Sequence, residues 1–111
     1  MPLRLRATYS GRTGRRVNFT RDINEEGVFI RSHELLPVGT PIDLVLAPPL
    51  KQQPPIHLMG RVCRLIEEGA DRGMGISLSF PNATERRVFV ELIEDLERQF
   101  FSGELPEEVL G

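Results

Sequence analysis

The chain has 111 residues, of which 40% are hydrophobic and 27% are charged, and its formal net charge is −2. These values fit one ordinary globular domain, and the single cysteine excludes an internal disulfide and any metal site built on cysteine pairs. No apolar run approaches the roughly 20 residues of a membrane span, and the N-terminus lacks the apolar segment of a signal peptide. We therefore expect a cytoplasmic protein without membrane insertion.

The charges are distributed unevenly along the chain. Six arginines precede the first acidic residue, Asp22, whereas the last 21 residues hold seven carboxylates and one arginine, Arg98. A basic segment of this kind can attract phosphates. It can equally face the acidic end of the same molecule, and the composition leaves both interpretations open.

The first half of the chain alternates between apolar and polar residues, which is the period of a half-buried strand. The first predicted strand places four apolar side chains on one face: Leu3, Leu5, Ala7 and Tyr9. The segment SGRTG predicts a turn, because its glycines tolerate positive φ. The second predicted strand has Val17, Phe19 and Ile23 on its apolar face, and its opposite polar face carries Asn18, Thr20, Asp22 and Asn24.

Four further strands follow with turns between them. They are predicted at residues 28–30, 42–46, 56–66 and 74–80. The proline-rich segment 48–55 cannot enter a sheet interior, because proline lacks an N–H, so it predicts an exposed hairpin tip. In the last strand the outward residues are very small, namely Gly75, Ser77 and Ser79. They would let another segment pack closely, or they would form a tight barrel corner.

The period then changes to that of a helix. Asn82 is a good N-cap, and the apolar residues that follow recur at helical spacing until Gly103: Phe89, Ile93, Leu96 and Phe100. The sequence thus predicts a mainly β fold, a six-stranded antiparallel β-barrel with a C-terminal α-helix, over residues 1–102. Residues 103–111 are predicted to be a short tail that frays.

Nothing in the chain predicts catalysis. His33 and His57 lie in or beside predicted strands, without cysteines or acidic residues at metal-ligand spacing. The sequence suggests no Ser-His-Asp arrangement. It also has no glycine-rich phosphate loop before the predicted helix. We therefore expect neither an enzyme nor a metal site nor a resident cofactor.

One stretch is more specific. Asp22-x-Asn24-x-x-Gly27, followed by an apolar strand, resembles the (D/N)xSxxG signature of the PilZ domain family. Further segments resemble the family's pattern in the same order: LLPVGTPIDLVL, GRVCR, GMGI with Phe80, and the terminal helix. The resemblance covers residues 3–97 and implies the same barrel.

The family resemblance implies a cytoplasmic signalling module that binds cyclic di-GMP and acts on a protein partner, with outputs such as motility. Family members hold the ligand with (D/N)xSxxG and with an RxxxR segment before the first strand, where arginines contact phosphates and guanine edges. Here Asn24 stands at the serine position, and Arg12 and Arg16 match RxxxR but lie in the first predicted turn. Arg4 and Arg6 could substitute for them from the start of the first strand.

Two functional hypotheses remain open. In the first hypothesis, the chain is a cyclic di-GMP receptor that uses the residues Arg12, Arg16, Asp22, Asn24 and Gly27, with Arg4 or Arg6. Alternatively, it is a degenerate PilZ domain that has lost the ligand and works as a protein-interaction adaptor, through the proline-rich loop or the acidic helix. Nucleic acid is disfavoured as a partner, because base-stacking aromatic residues are scarce and the helix is acidic.

Overall fold

A computed structural model describes residues 1–50 and 52–111 of the chain. Its elements in chain order are β1 (Arg6–Gly11), β2 (Gly14–Ile23), β3 (Gly27–Arg31), β4 (Pro41–Leu46), β5 (Ile56–Ile66), β6 (Gly73–Ser79), α1 (Ala83–Ser102) and a 3₁₀ turn (Glu107–Val109). The strands close into a barrel in the order β1-β2-β3-β6-β5-β4, and every neighbouring pair is antiparallel. The predicted fold class is therefore confirmed.

The alternating pattern predicts the inner face of β1 correctly. Ala7 and Tyr9 on the strand are buried, and so are Leu3 and Leu5 just before it. The predicted SGRTG turn is a tight hairpin in which Gly11 pairs with Gly14. Segment 48–55 joins the adjacent strands β4 and β5, as predicted, although Lys51 within it lies outside the described residues.

The prediction for β2 was wrong in part. Val17, expected inside, is 53% exposed, and Thr20, expected on the polar outer face, is 1% exposed. The cause is a β-bulge: Thr20 pairs with Ile30 and Asp22 pairs with Phe29, which leaves Arg21 as an extra residue. One extra residue exchanges the two faces of the strand, so Asp22 does not share a face with Thr20.

Thr20 can be buried because its hydroxyl has two partners. It accepts a hydrogen bond from the Leu5 N–H at 2.9 Å and donates one to the Leu3 carbonyl at 2.5 Å. The Thr20 N–H also donates to the Leu5 carbonyl at 2.9 Å, and the Ile23 N–H donates to the Met1 carbonyl at 2.9 Å. Residues 1–5 therefore run beside the second half of β2.

Helix α1 has the predicted boundaries. The Asn82 side chain accepts a hydrogen bond from the Glu85 N–H at 2.9 Å, and Gly103 ends the helix with φ of 75°. Phe89, Ile93 and Leu96 are buried in the same hydrophobic cluster as the inner faces of the strands. In residues 1–50 and 52–111, no helix combines the length and the apolar character needed to cross a membrane.

The C-terminal segment differs from the predicted fraying tail. Leu105 and Val109 are buried in the core cluster. The Arg4 N–H donates to the Val109 carbonyl at 2.8 Å, and Leu3 pairs with Leu110 in an isolated β-bridge. The apolar side chains and backbone hydrogen bonds of this segment thus hold residues 1–4 in place.

Candidate functional site

An arginine-rich surface covers the outside of the barrel around β2 and β3. We call it the arginine face and define it by six residues: Arg4, Arg6, Arg21, Arg31, Arg64 and Arg72. The register places it together, because Phe19 on β2 is the pairing partner of both Arg6 on β1 and Arg31 on β3. An arginine surplus on one surface attracts anions.

Two aromatic rings form the floor of the arginine face. The Arg4 guanidinium carbon lies 3.7 Å from the centre of the Phe19 ring. Phe29 points outward from β3 yet is only 2% exposed, because the Arg21 and Arg64 guanidiniums lie 4.0 Å and 5.3 Å from its ring centre. Such cation–π contacts orient each guanidinium on the face of a ring.

The small outward residues of β6 make room for this layer. A Cβ on Gly75 would lie 2.8 Å from Arg64 Cγ, and one on Gly73 would lie 2.8 Å from Phe29 Cε1 and 2.1 Å from the Ile30 carbonyl oxygen. At Gly75 the small residue therefore allows the close packing that was one of the two predicted roles, and Gly73, which the prediction did not include, allows the same.

Two aspartates pair with this face. Arg21 Nε lies 2.7 Å from Asp22 Oδ2, and its Nη1 lies 3.8 Å from Asp71 Oδ2. Arg31 Nη2 lies 3.2 Å from the other carboxylate oxygen of Asp71. Within residues 1–50 and 52–111, the remaining four arginines of the face have no carboxylate within ion-pair distance; they are Arg4, Arg6, Arg64 and Arg72. The face therefore keeps a surplus of positive charge.

A cavity of about 360 Å³ lies at one side of the arginine face. Its walls include Arg4 before β1, Phe19 of β2, Arg31 at the end of β3, His33 after it, and Arg72 from the β5–β6 loop. Arg72 is fixed there, because its Nε donates to the His33 carbonyl at 3.1 Å and it also donates to the Glu67 carbonyl. The cavity is therefore lined by three arginines and an aromatic ring.

The Asp22-x-Asn24-x-x-Gly27 segment forms the β2–β3 turn beside this face. The Asn24 side-chain oxygen accepts hydrogen bonds from the N–H groups of Glu26 at 2.8 Å and Gly27 at 2.9 Å, as in an Asx turn. Gly27 does not have positive φ. It is small because β6 is close: a Cβ there would lie 2.7 Å from the Ile76 carbonyl oxygen.

Arg12 and Arg16 lie elsewhere, at the β1–β2 hairpin. Glu34 holds both residues: its Oε1 accepts from the Arg12 backbone N–H at 2.6 Å, and its Oε2 pairs with Arg16. The Arg12 hydrogen bond, followed by the interaction with Arg16, lowers the pKa of the Glu34 carboxyl. Six residues of extended chain, about 20 Å, separate Arg16 from Asp22, so the structure does not bring these two groups together.

Arg4 and Arg6, in contrast, lie next to the half of β2 that carries Asp22. Asn24 follows this half of β2 in the turn, and Gly27 begins β3. Sequence reasoning missed four residues of this surface: Arg31, Arg64, Asp71 and Arg72. The sequence gives no local pattern for them, because they come together only through the β3–β6 and β5–β6 pairing.

A second surface lies between helix α1 and the proline-rich connection. It is a groove of about 400 Å³ with a mainly apolar lining that includes Pro54, Pro55, Val88 and Leu92. Val88 is 61% exposed, and Phe101 on the same helix is 83% exposed. Among the described residues, no group of three His, Cys, Asp or Glu side chains could hold a metal ion.

Comparison with known proteins gives a family and a fold. A family model described as "PilZ domain" matches residues 1–95. The solved PilZ domain of CeSA from a cellulose-synthesizing bacterium is similar with a TM-score of 0.62 and 20% identity, over 87% of this chain and 96% of that chain. The Bacillus subtilis inhibitor of motility, MotI/DgrA, is similar with a TM-score of 0.68 and 14% identity, over 91% of this chain and 49% of that chain. No curated protein matches the sequence.

Proposed function

The chain belongs to the PilZ domain family, and from this membership we propose that it is a cytoplasmic, non-catalytic receptor that binds cyclic di-GMP and passes the signal to a protein partner. The observation that carries the proposal is the arginine face, where a surplus of guanidiniums lies on two aromatic rings beside Asp22. Cyclic di-GMP is a dianion with two planar bases. It therefore needs cations for its phosphates and flat partners for its guanines.

Within this proposal, Arg4 and Arg6 take the part of the family's RxxxR arginines. They lie beside the second half of β2, whereas Arg12 and Arg16 are at the far hairpin and are held by Glu34. Asp22 offers carboxylate oxygens to the N–H groups of a guanine edge. Asn24 and Gly27 contribute by shaping the turn, since the Asn24 oxygen already accepts two backbone N–H groups.

A calorimetric titration with cyclic di-GMP tests the proposal and the choice of arginines. We expect the double variant Arg4→Ala/Arg6→Ala to bind at least about tenfold more weakly than the natural chain, because each hydrogen bond to a charged group contributes about 1.5–3 kcal/mol. The matched variant Arg12→Ala/Arg16→Ala removes the same charge from the far hairpin. Because no hydrogen bond to the ligand is lost there, the affinity should change less than about twofold.

Two results would contradict this assignment. If Arg12→Ala/Arg16→Ala abolishes binding and Arg4→Ala/Arg6→Ala does not, the site lies at the hairpin. If the folded natural chain gives no heat at high micromolar ligand, it is not a receptor.

A second candidate function is a PilZ adaptor that binds protein without the nucleotide. It is favoured by the engaged Asn24 and by the exposed apolar residue Val88 in the lining of the groove. Exposed apolar surface next to a groove is typical of protein-binding sites.

For this adaptor, we expect Val88→Glu to lose a partner captured from a lysate of the host cells, because the new charge would have to be desolvated in the interface. Thr84→Glu adds the same charge on an exposed position of the same helix and should retain the partner. Quantitative mass spectrometry of the captured proteins, with and without cyclic di-GMP, is the measurement. Identical partner sets for the two variants would show that this groove is not the interface.

A further inference from the structure

Asp71 is placed at the centre of the arginine face by the loop that joins β5 to β6. Its two carboxylate oxygens face different strands: one lies 3.2 Å from Arg31 of β3 and the other 3.8 Å from Arg21 of β2. A carboxylate shared by two guanidiniums has the arrangement that a phosphate group adopts between two arginines. The loop thus supplies an anion from within the chain.

Arg21 and Arg31 differ from the rest of the face for this reason. Together they carry two positive charges, and the carboxylates of Asp22 and Asp71 balance both of them. A phosphate that approaches Arg21 or Arg31 must therefore replace an existing partner, whereas Arg4 and Arg6 have no carboxylate to release within the described residues.

We propose that Asp71 occupies the place of a ligand phosphate between Arg21 and Arg31 and is displaced when the ligand binds, so that Asp71 sets the affinity of the site. The identity of the ligand as cyclic di-GMP rests on the proposed function. The displacement itself rests on the contacts of Asp71. Binding then exchanges one anion for another at these two arginines, while Arg4 and Arg6 supply the net attraction.

The displacement requires little rearrangement. The Asp71 and Arg31 side chains are about half exposed, and ion pairs of this kind contribute little stability because water solvates both partners. The backbone beside Asp71 is fixed, since the Arg72 N–H donates to the Gly69 carbonyl at 3.2 Å and the Arg72 carbonyl accepts from Ser32 at 3.0 Å. Rotation of the Asp71 side chain toward solvent then frees the Arg31 guanidinium and Nη1 of Arg21, while Nε of Arg21 stays paired with Asp22.

Calorimetric titration of Asp71→Asn with cyclic di-GMP tests the inference. We expect this variant to bind about fivefold more tightly than the natural chain, which is the scale of one or two exposed ion pairs. Glu68→Gln removes one negative charge from the same loop, at an exposed side chain with no ion pair among the described residues, and should leave the affinity within about twofold on the same scale. Asp71→Ala provides a second variant, and circular dichroism confirms that each is folded.

The outcomes separate this inference from the proposed function. If the natural chain binds and Asp71→Asn binds no more tightly than Glu68→Gln, the displacement is wrong and the receptor proposal stands. If only the Asp71 variants bind, the displacement is supported and the natural chain is not a receptor. If none of the proteins binds, both ideas are wrong.

Discussion

Gly27→Ala is expected to lower the free energy of unfolding by about 3 kcal/mol, which is the upper range for forcing an extra methyl group into a packed site. The new Cβ would lie 2.7 Å from the Ile76 carbonyl oxygen. That oxygen belongs to the backbone of β6, which is paired with β3 through Gly27–Ser77 and Val28–Ile76, so it cannot move away without breaking the sheet. Equilibrium unfolding in urea, followed by far-ultraviolet circular dichroism, gives the value.

The matched control for Gly27→Ala is Glu25→Ala in the same turn. Glu25 is exposed and its side chain has no hydrogen bond or ion pair among the described residues, so this variant should unfold within about 0.5 kcal/mol of the natural chain. A Gly27→Ala protein as stable as the control would show that the barrel accommodates the methyl group. The glycine of the signature would then be needed for something other than the packing of β3 on β6.

Gly27 of the Asp22-x-Asn24-x-x-Gly27 signature can affect ligand binding through the packing of the turn alone. A loss of cyclic di-GMP binding in Gly27→Ala would follow from a distorted β2–β3 turn, without any contact between the glycine and the ligand. The same holds for Asn24, because its side-chain oxygen accepts hydrogen bonds from the Glu26 and Gly27 N–H groups and so stabilises the turn. For variants of either residue, the affinity for the ligand therefore has to be compared with the free energy of unfolding of the same variant.

The fold could be predicted from the sequence wherever the alternation is unbroken. Leu5, Ala7 and Tyr9 are buried as predicted, since nothing interrupts the period of two in β1. The prediction fails in β2 on the N-terminal side of the bulge at Arg21, where Val17 is exposed and Thr20 is buried, and it holds beyond the bulge, where Ile23 is buried. A bulge is defined by pairing with another strand, and the local sequence does not contain that information.

The candidate site was less predictable, because spacing along the chain does not give distance in space. Arg12 and Arg16 match the RxxxR spacing, but Arg12 lies in the hairpin turn and an extended β2 places Arg16 about 20 Å from Asp22. Conversely, Arg31 is far in sequence from Arg64 and Asp71, and it meets their part of the chain only because β3 pairs with β6 and β6 with β5. The fraying predicted for the tail was also wrong, since Leu105 and Val109 complete the core beside residues 1–4.

Phe29→Ala is expected to lower the free energy of unfolding by about 3 kcal/mol, the lower end for removing a buried phenylalanine ring. The lower end applies because Phe29 lies outside the central hydrophobic cluster, under the Arg21 and Arg64 side chains, which can partly collapse into the space. Urea unfolding again provides the measurement. Phe101→Ala is the matched control: its ring is 83% exposed, so its removal should change the value by less than about 0.5 kcal/mol.

A third variant separates the packing of Phe29 from its contact with the guanidiniums. Phe29→Leu keeps most of the apolar volume and loses the ring, so it should cost about 1 kcal/mol, the scale of cation–π contacts at exposed sites. If Phe29→Ala is no more destabilising than Phe101→Ala, the guanidinium layer is not packed on the ring. If the expected order holds, the same aromatic floor that stabilises the barrel also holds Arg21 and Arg64 in position. Phe29→Leu should then weaken cyclic di-GMP binding as well, because both guanidiniums would lose their preferred orientation toward the ligand.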